Sequence, residues 1–330
     1  MAKKHSPTGE ALGLDDLVSK ASENSELVRL KAQNKKLQEI INQQAEALES
    51  KAKKIKYAPG KKGDSRGSFI RVCIPDTHGS KIHEPSFLRV LRDLSGMDVR
   101  EVVLLGDHVD AGGFLAQHHT LGYVAECSYT YEEDIAAANG MLDSVMKACP
   151  KAEFHYLQGN HESRLEKWCV TQSLRNGIDA GFLLQLVSPE KLLRLDSRGI
   201  KFYRLGGFHQ GLHIRGTIKL GKCYFTHGST ASKHAASKMV DMFGGNVVFG
   251  HIHRAQSHIR RTVHDGVLGA WCPGCLCEIQ PMWMHSNLTD WSHGYGLQIV
   301  QPSGEFLHVN VPIVDNVSLL EPLLKAVKHD

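Results

Sequence analysis

The sequence predicts an α/β fold preceded by an N-terminal coiled-coil helix, and three observations carry that reading. Short apolar runs of strand length recur through residues 69–311, each closing on Gly or Pro and then on polar side chains. Longer stretches with apolar residues at helical spacing separate the first of these runs, the alternation that builds parallel sheets. Upstream, residues 24–56 keep a heptad pattern with neither Gly nor Pro.

Composition narrows the function classes. The 330 residues leave room for one large or two small domains, and a hydrophobic fraction of 42% is ample for a core. A net charge of +4 gives no global field for polyanions, although Lys51, Lys53, Lys54, Lys56, Lys61, Lys62 and Arg66 crowd one segment. No apolar run approaches the roughly 18 residues of a membrane span, and the first residues lack the apolar core of a signal peptide. No membrane association and a cytoplasmic location are therefore expected. Eight Cys do not suggest a disulfide framework. Cys73 and Cys223 lie inside apolar runs and are expected to be reduced packing residues.

Taken in order, residues 1–23 are polar and mixed and read as a flexible tail. In residues 24–56, Leu27, Asn34, Ile41 and Leu48 fall seven apart, with Leu30, Leu37 and Gln44 at the alternate spacing of an a/d seam. Asn at an a position favours a parallel dimer in fixed register, so a homodimer through this helix is expected. A lone amphipathic helix docked on the body is the alternative. Residues 57–68 are a Gly/Lys-rich linker, read as a solvated hinge or as a contact to a phosphate backbone.

Residues 69–312 form the main domain. Phe69–Ile74 reads as a buried strand running into Pro75, Asp76, Thr77 and His78, and residues 84–94 read as a helix. The apolar run 101–105 leads through Gly106 to Asp107, His108, Val109 and Asp110. A right-handed crossover puts both strand ends on one edge, where open α/β sheets hold ligands. Residues 131–149 form a helix ended by Pro150, and Glu153–Leu157 is a third strand leading to Gly159, Asn160, His161 and Glu162. Helix follows through Leu165 and Trp168, and again over residues 183–195 around Pro189. Residues 222–226 lead into His227-Gly228, and Asn246–Phe249 into Gly250-His251-Ile252-His253. Strand-like segments near 267–271, 296–300 and 306–311 fit a second sheet, and residues 313–330 read as a small helical tail.

Five strand ends thus present Asp76, His78, Asp107, Asn160, His227, His251 and His253. Two first-row divalent ions sharing a carboxylate need about seven protein ligands. Carboxylate, amide oxygen and imidazole together suit manganese first, with iron, zinc or nickel as alternatives, rather than calcium or magnesium alone.

In this order, Asp-x-His, Gly-Asp-x-x-Asp, Gly-Asn-His-Glu, His-Gly and Gly-His-x-His resemble the calcineurin-like metallophosphoesterases. The resemblance implies a four-layer α/β/β/α sandwich with a dinuclear site at the sheet edge. It implies that Asp76, His78 and His253 hold one ion and Asn160, His227 and His251 the other, with Asp107 bridging. His161 would be a non-ligand imidazole oriented by Asp110. Cys275-Leu-Cys277 with Trp291-Ser-His-Gly294 is similar to members often found in bacteriophage genomes, which would place the protein in the host cytoplasm.

Two such ions supply hydroxide from a bridging water at neutral pH and clamp phosphoryl oxygens. In-line attack on phosphorus then needs charge neutralisation and leaving-group protonation, for which His161 is placed. Glu162 reads as a residue orienting a ligand. The phosphoprotein phosphatases of this superfamily carry Arg after the second Asp of Gly-Asp-x-x-Asp and before Gly-Asn-His-Glu, where this chain has Ala111 and Gln158. Without those bidentate clamps a phosphodiesterase or nuclease is favoured over a phosphoprotein phosphatase, with Arg164 as a candidate substitute cation. A coiled-coil scaffold with a vestigial site is the reading from another class. Residues 111–131, with Gln117, His118, His119 and Tyr123, are either a loop contacting substrate or an ordinary surface loop. Cys272, Cys275 and Cys277 read as part of a zinc knuckle or as a turn with buried thiols. His209 and His213 read as loop rather than as a further metal site.

Overall fold

Strict alternation along the strands sends successive side chains into two different cores, and that sets the layers. In a computed structural model, residues 67–111, 130–176, 179–207, 209–212, 214–264, 266–281 and 288–322 are described. The tail 1–23, the heptad segment 24–56, nearly all of the linker, His118, His119, His213 and residues 323–330 lie outside the described residues.

Four parallel strands, β1 (Phe69–Ile74), β2 (Val99–Leu104), β3 (Glu153–Leu157) and β4 (Lys201–Tyr203), form one half of the first sheet. A second group of five comprises β5 (Thr217–Leu220), β6 (Cys223–Thr226), β7 (Asn246–Phe249), β8 (Ala255–Thr262) and β9 (Gly266–Pro273), in the order β5-β6-β7-β9-β8. Three further strands, β10 (Gly294–Val300), β11 (Phe306–Val314) and β12 (Val317–Ser318), extend the first sheet to the order β12-β11-β10-β1-β2-β3-β4.

The expectation that residues 267–271, 296–300 and 306–311 share a second sheet is corrected here. Only the first of these, in β9, lies in the five-stranded sheet; β10 runs antiparallel beside β1, and β11 beside β10. Period-two patterning marks a strand and its two faces, but it carries no information about which sheet supplies the partner.

The helices begin and end where local chemistry requires. Helix α1 (Glu84–Ser95) has Pro85 in its first turn and buries Phe87, Val90 and Leu94. Helix α2 (Tyr131–Ala148) starts on a capping box, with the Thr130 hydroxyl accepting from Glu133 N and the Glu133 carboxylate accepting from Thr130 N. Helix α3 (Glu162–Asn176) follows β3. The helical stretch around Pro189 is two pieces, α4 (Ala180–Val187) and α5 (Pro189–Leu192). Ser188 separates them because the residue before Pro avoids the helical region, and its hydroxyl caps α5 by accepting from Lys191 N. Helix α6 (Ala235–Phe243) stops at Gly244, whose φ of 54° is left-handed.

Val72 and Ile74 of β1 and Val102 and Leu104 of β2 pack into a core with α1 and α2 residues such as Leu94 and Leu142. Their neighbours Cys73, Val103 and Leu105 point the other way, against Phe225 and Val248 of the second sheet. On the far face of that sheet, Val247 and Phe249 pack with Met239 and Val240 of α6. The layer order is therefore helices, sheet, sheet, helix. Burying a side chain of this size stabilises by about 1.5–3 kcal/mol, so the two sheets are held face to face chiefly by this middle core. Seven cysteines are described and all are buried and unbridged. No helix among the described residues is long and apolar enough to cross a membrane.

Candidate metal centre

The carboxyl ends of β1, β2 and β3 meet those of β6 and β7, and the backbone there is tightly turned. His78, Asp107, His251 and His253 have φ of 52°, 51°, 73° and 58°, a region that non-glycine residues enter only when surrounding structure holds them there. Gly106 has φ 96°, and a Cβ on it would sit 2.8 Å from Gly159 N, His227 Nδ1 and Leu157 O. Only glycine lets the three loops approach this closely. The loops are stitched together: Thr77 N and His78 N donate to Asp107 O at 3.2 and 2.9 Å, and Gly250 N donates to His227 O at 2.9 Å. Asp76 accepts from His251 N at 3.0 Å.

This packing gathers the expected residues into two sets sharing one carboxylate. His78 Nε2 lies 3.1 Å from His253 Nε2, which lies 3.3 Å from Asp76 Oδ1. His227 Nε2 lies 2.9 Å from Asn160 Oδ1 and 3.2 Å from Asp107 Oδ2, with the His251 ring centred 5.2 Å from that of His227. Donor atoms of Asp76, His78 and Asp107 fall within 4.8 Å of one another, and so do those of Asp107, His227 and His251. Asp107 belongs to both sets.

The hydrogen bonds test whether these residues suit a cation. The Asp110 carboxylate, 2.7 Å from His78 Nδ1, places the proton on that nitrogen and leaves Nε2 as a lone pair directed at His253. His227 Nδ1 donates to Leu105 O at 2.8 Å, so Nε2 faces Asn160 Oδ1 and Asp107 Oδ2 with nothing between acceptors unless a proton or a cation sits there. Burial works to lower His227, but the Asp107 carboxylate overrides it and holds the imidazole up at about 10. Burial would raise Asp76, yet the hydrogen bond and charge of His253 bring it down to about 2. Asp107 is likewise driven well below the usual carboxylate range, against its burial, by His227 and His161. Ionised carboxylates this deeply buried require positive charge beside them. Protons on imidazoles can supply it, and divalent cations supply it with the stronger bonds that oxygen and nitrogen donors favour. The donor set fits divalent ions.

Around this centre sit the residues expected to act without binding metal. His161 Nδ1 donates to Asp110 O at 2.7 Å and lies 3.1 Å from Asp110 Oδ1, while its Nε2 accepts from Arg164 Nη2 at 2.9 Å. A guanidinium can only donate, so His161 has its proton on Nδ1 here. Arg164 also donates from Nη1 to Asp110 O at 3.1 Å. Burial would raise Asp110, but its hydrogen bonds to His161 and His78 hold it well below the usual range. Glu162 is a clasp: its carboxylate accepts from the peptide nitrogens of Asp107, His108, Val109 and Gly159 and from Tyr156 Oη. Burial first, and Asp107 second, push its carboxyl up to about 7.

Three further neighbours were not tied to this centre by the sequence: Asp134 gave no signal, and Cys277 and Trp291 stood in motifs read otherwise. Asp134, in the first turn of α2, accepts from Ser80 N at 3.1 Å and Ala111 N at 2.8 Å, tying the loops after β1 and β2 to one helix. Cys277 Sγ lies 3.9 Å from His253 Nδ1. The Trp291 ring stands edge-on to that of His253 at 4.1 Å. His209 bonds back to Arg204 O within its own loop.

No family model and no curated protein matches the chain. Among solved structures, a Vps29 single mutant from Entamoeba histolytica shares 13% identity, covering 76% of this chain and 96% of that one with a TM-score of 0.38. Yfce, a phosphoesterase from E. coli, shares 16% over 73% of this chain and 99% of that one, with a TM-score of 0.32. The nuclease MPE from Pseudomonas putida shares 10% over 72% and 86%, with a TM-score of 0.27. Likenesses this distant do not extend to activity.

Proposed function

We propose that the protein is a metal-dependent phosphoesterase of the calcineurin-like metallophosphoesterase kind, acting on phosphodiesters. The observation that supports this most is the meeting of Asp76, His78, His253, Asn160 and His227 around Asp107, with imidazole nitrogens facing each other and facing oxygens. Asp76, His78 and His253 would hold one divalent ion, Asn160, His227 and His251 a second, and Asp107 both, with manganese as the leading metal. When bound, such ions lower the pKa of water and neutralise phosphoryl oxygens.

The remaining work falls to the chain. Asp110 fixes the ring of His161, and Arg164 is one hydrogen bond away from that ring's Nε2. A phosphate oxygen that takes over the Arg164 N–H frees Nε2 to serve the leaving oxygen as a proton donor once His161 is charged. The preference for diesters rests on what stands at the two arginine positions. Ala111 offers no polar side-chain group, and Gln158 is buried with its Oε1 accepting from the backbone of Leu205 at 2.9 Å. A single guanidinium suits the monoanion of a diester, including nucleotides and nucleic acid, better than the dianion of a monoester.

Hydrolysis of bis(p-nitrophenyl) phosphate and p-nitrophenyl phosphate with Mn²⁺ tests the reading. Faster diester turnover, abolished by Asp107→Asn and by chelation, is expected. Monoester preference would return the phosphoprotein phosphatase reading, and turnover indifferent to metal would overturn the proposal. We propose further that residues 24–56 join two copies in a parallel coiled coil, checked by light scattering of the full chain against residues 67–330. Equal mass per chain in both would refute it.

A further inference from the structure

The imidazoles of the centre differ in what orients them. His78 Nδ1 is held by the Asp110 carboxylate and His227 Nδ1 by the Leu105 carbonyl, both oxygens under 3 Å away. His253 has neither: the atom facing its Nδ1 is Cys277 Sγ at 3.9 Å. Its Nε2 is the nitrogen that faces Asp76 and His78. A neutral imidazole that ligates through Nε2 carries its proton on Nδ1, and the group accepting that proton fixes both tautomer and ring angle.

Cys277 is well placed for this. It is buried and unbridged, and it is pinned at both faces of its backbone: the Ile82–Cys277 bridge ties it to the loop after β1, and its carbonyl accepts from His293 Nε2 at 2.9 Å. The Trp291 ring meets the His253 ring edge-on, centroids 4.1 Å apart. The imidazole thus contacts both an indole and a thiol.

We infer that Cys277 is a positioning residue, its sulfur accepting the Nδ1 proton of His253 and so aiming Nε2 at the ion that Asp76, His78 and His253 would hold. The inference rests on the proposed metal centre. It also gives a role to one cysteine of a cluster read from the sequence as a zinc knuckle or a turn with buried thiols.

Mn²⁺ titration of the full chain by calorimetry, with Cys277→Val and Cys277→Ser, tests this. Valine keeps the volume without an acceptor, and serine keeps an acceptor on the same carbon. In C277V one of two ions is expected to bind about 10–100-fold more weakly, the usual effect of losing such a partner. C277S is expected to recover most of that loss. Wild-type affinity in C277V, or equal loss in both variants, would overturn the positioning role. So would a thiolate-to-metal charge-transfer band in the Co²⁺-loaded wild type that vanishes in C277S, since Cys277 would then be a ligand. A wild type that binds no ion would instead overturn the metal centre on which the inference stands.

Discussion

Backbone strain is concentrated at the centre, which holds four of the nine non-glycine residues with positive φ among the described residues. His78, Asp107, His251 and His253 all have left-handed backbone, which costs on the order of 1–3 kcal/mol for each non-glycine residue. Such geometry persists only where hydrogen bonds over-determine it, and Glu162 provides most of them for the Asp107 turn. Glu162→Gln puts an amide NH₂ among peptide N–H donors. It is expected to lower unfolding free energy by about 3 kcal/mol or more in urea denaturation, and an unchanged midpoint would count against the clasp. Gly159→Ala places a Cβ onto the Asp107 carboxylate and peptide nitrogen. Mn²⁺ binding should be lost in that variant even where circular dichroism shows the fold retained. The ligand candidates were legible in the sequence because each sits within a few residues of a strand end and a turn residue. Asp134 was not, and Cys277 stood out only as part of a cysteine cluster, because they reach the centre from α2 and from the segment after β9, and no local spacing encodes such contacts.

Among the elements, β3 carries a consequence for pH. Its His155 is buried, its Nδ1 bonded to Tyr203 Oη at 2.9 Å, and burial lowers it to about 4. Folded His155 stays neutral down to that pH, whereas the unfolded chain takes up the proton near 6.5. Between those values the unfolded state holds the extra proton, so stability falls as pH falls through the window. The contribution is at most about 3 kcal/mol. His155→Gln, which can still bond Tyr203, should flatten the acid limb of a stability–pH curve, and an identical slope would exclude the group. The strands that flank the centre were readable as elements, as was α2 from its apolar spacing and the Pro150 that ends it. The edge strand β8 and helix α6 were not, since β8 alternates between half-buried and exposed residues without a strongly apolar face.

For the molecule as a whole, two sheets packed face to face bring ligand candidates from both halves of the chain to one edge. The apolar runs foretold a parallel α/β core, but pairing β10 with β1 is a contact across more than two hundred residues, and alternation alone does not specify it. Function inherits that topology: Asp107 from the first sheet and His227 from the second meet at 3.2 Å only if both sheets stack as they do. The most direct measurement is therefore the stoichiometry of Mn²⁺ bound to the wild type and to Asp107→Asn, by calorimetry with metal analysis after dialysis. Two ions per chain in the wild type, with loss or marked weakening of both in the variant, is the predicted result. No bound ion in the wild type, or undiminished binding of both in the variant, would contradict a centre built on Asp107.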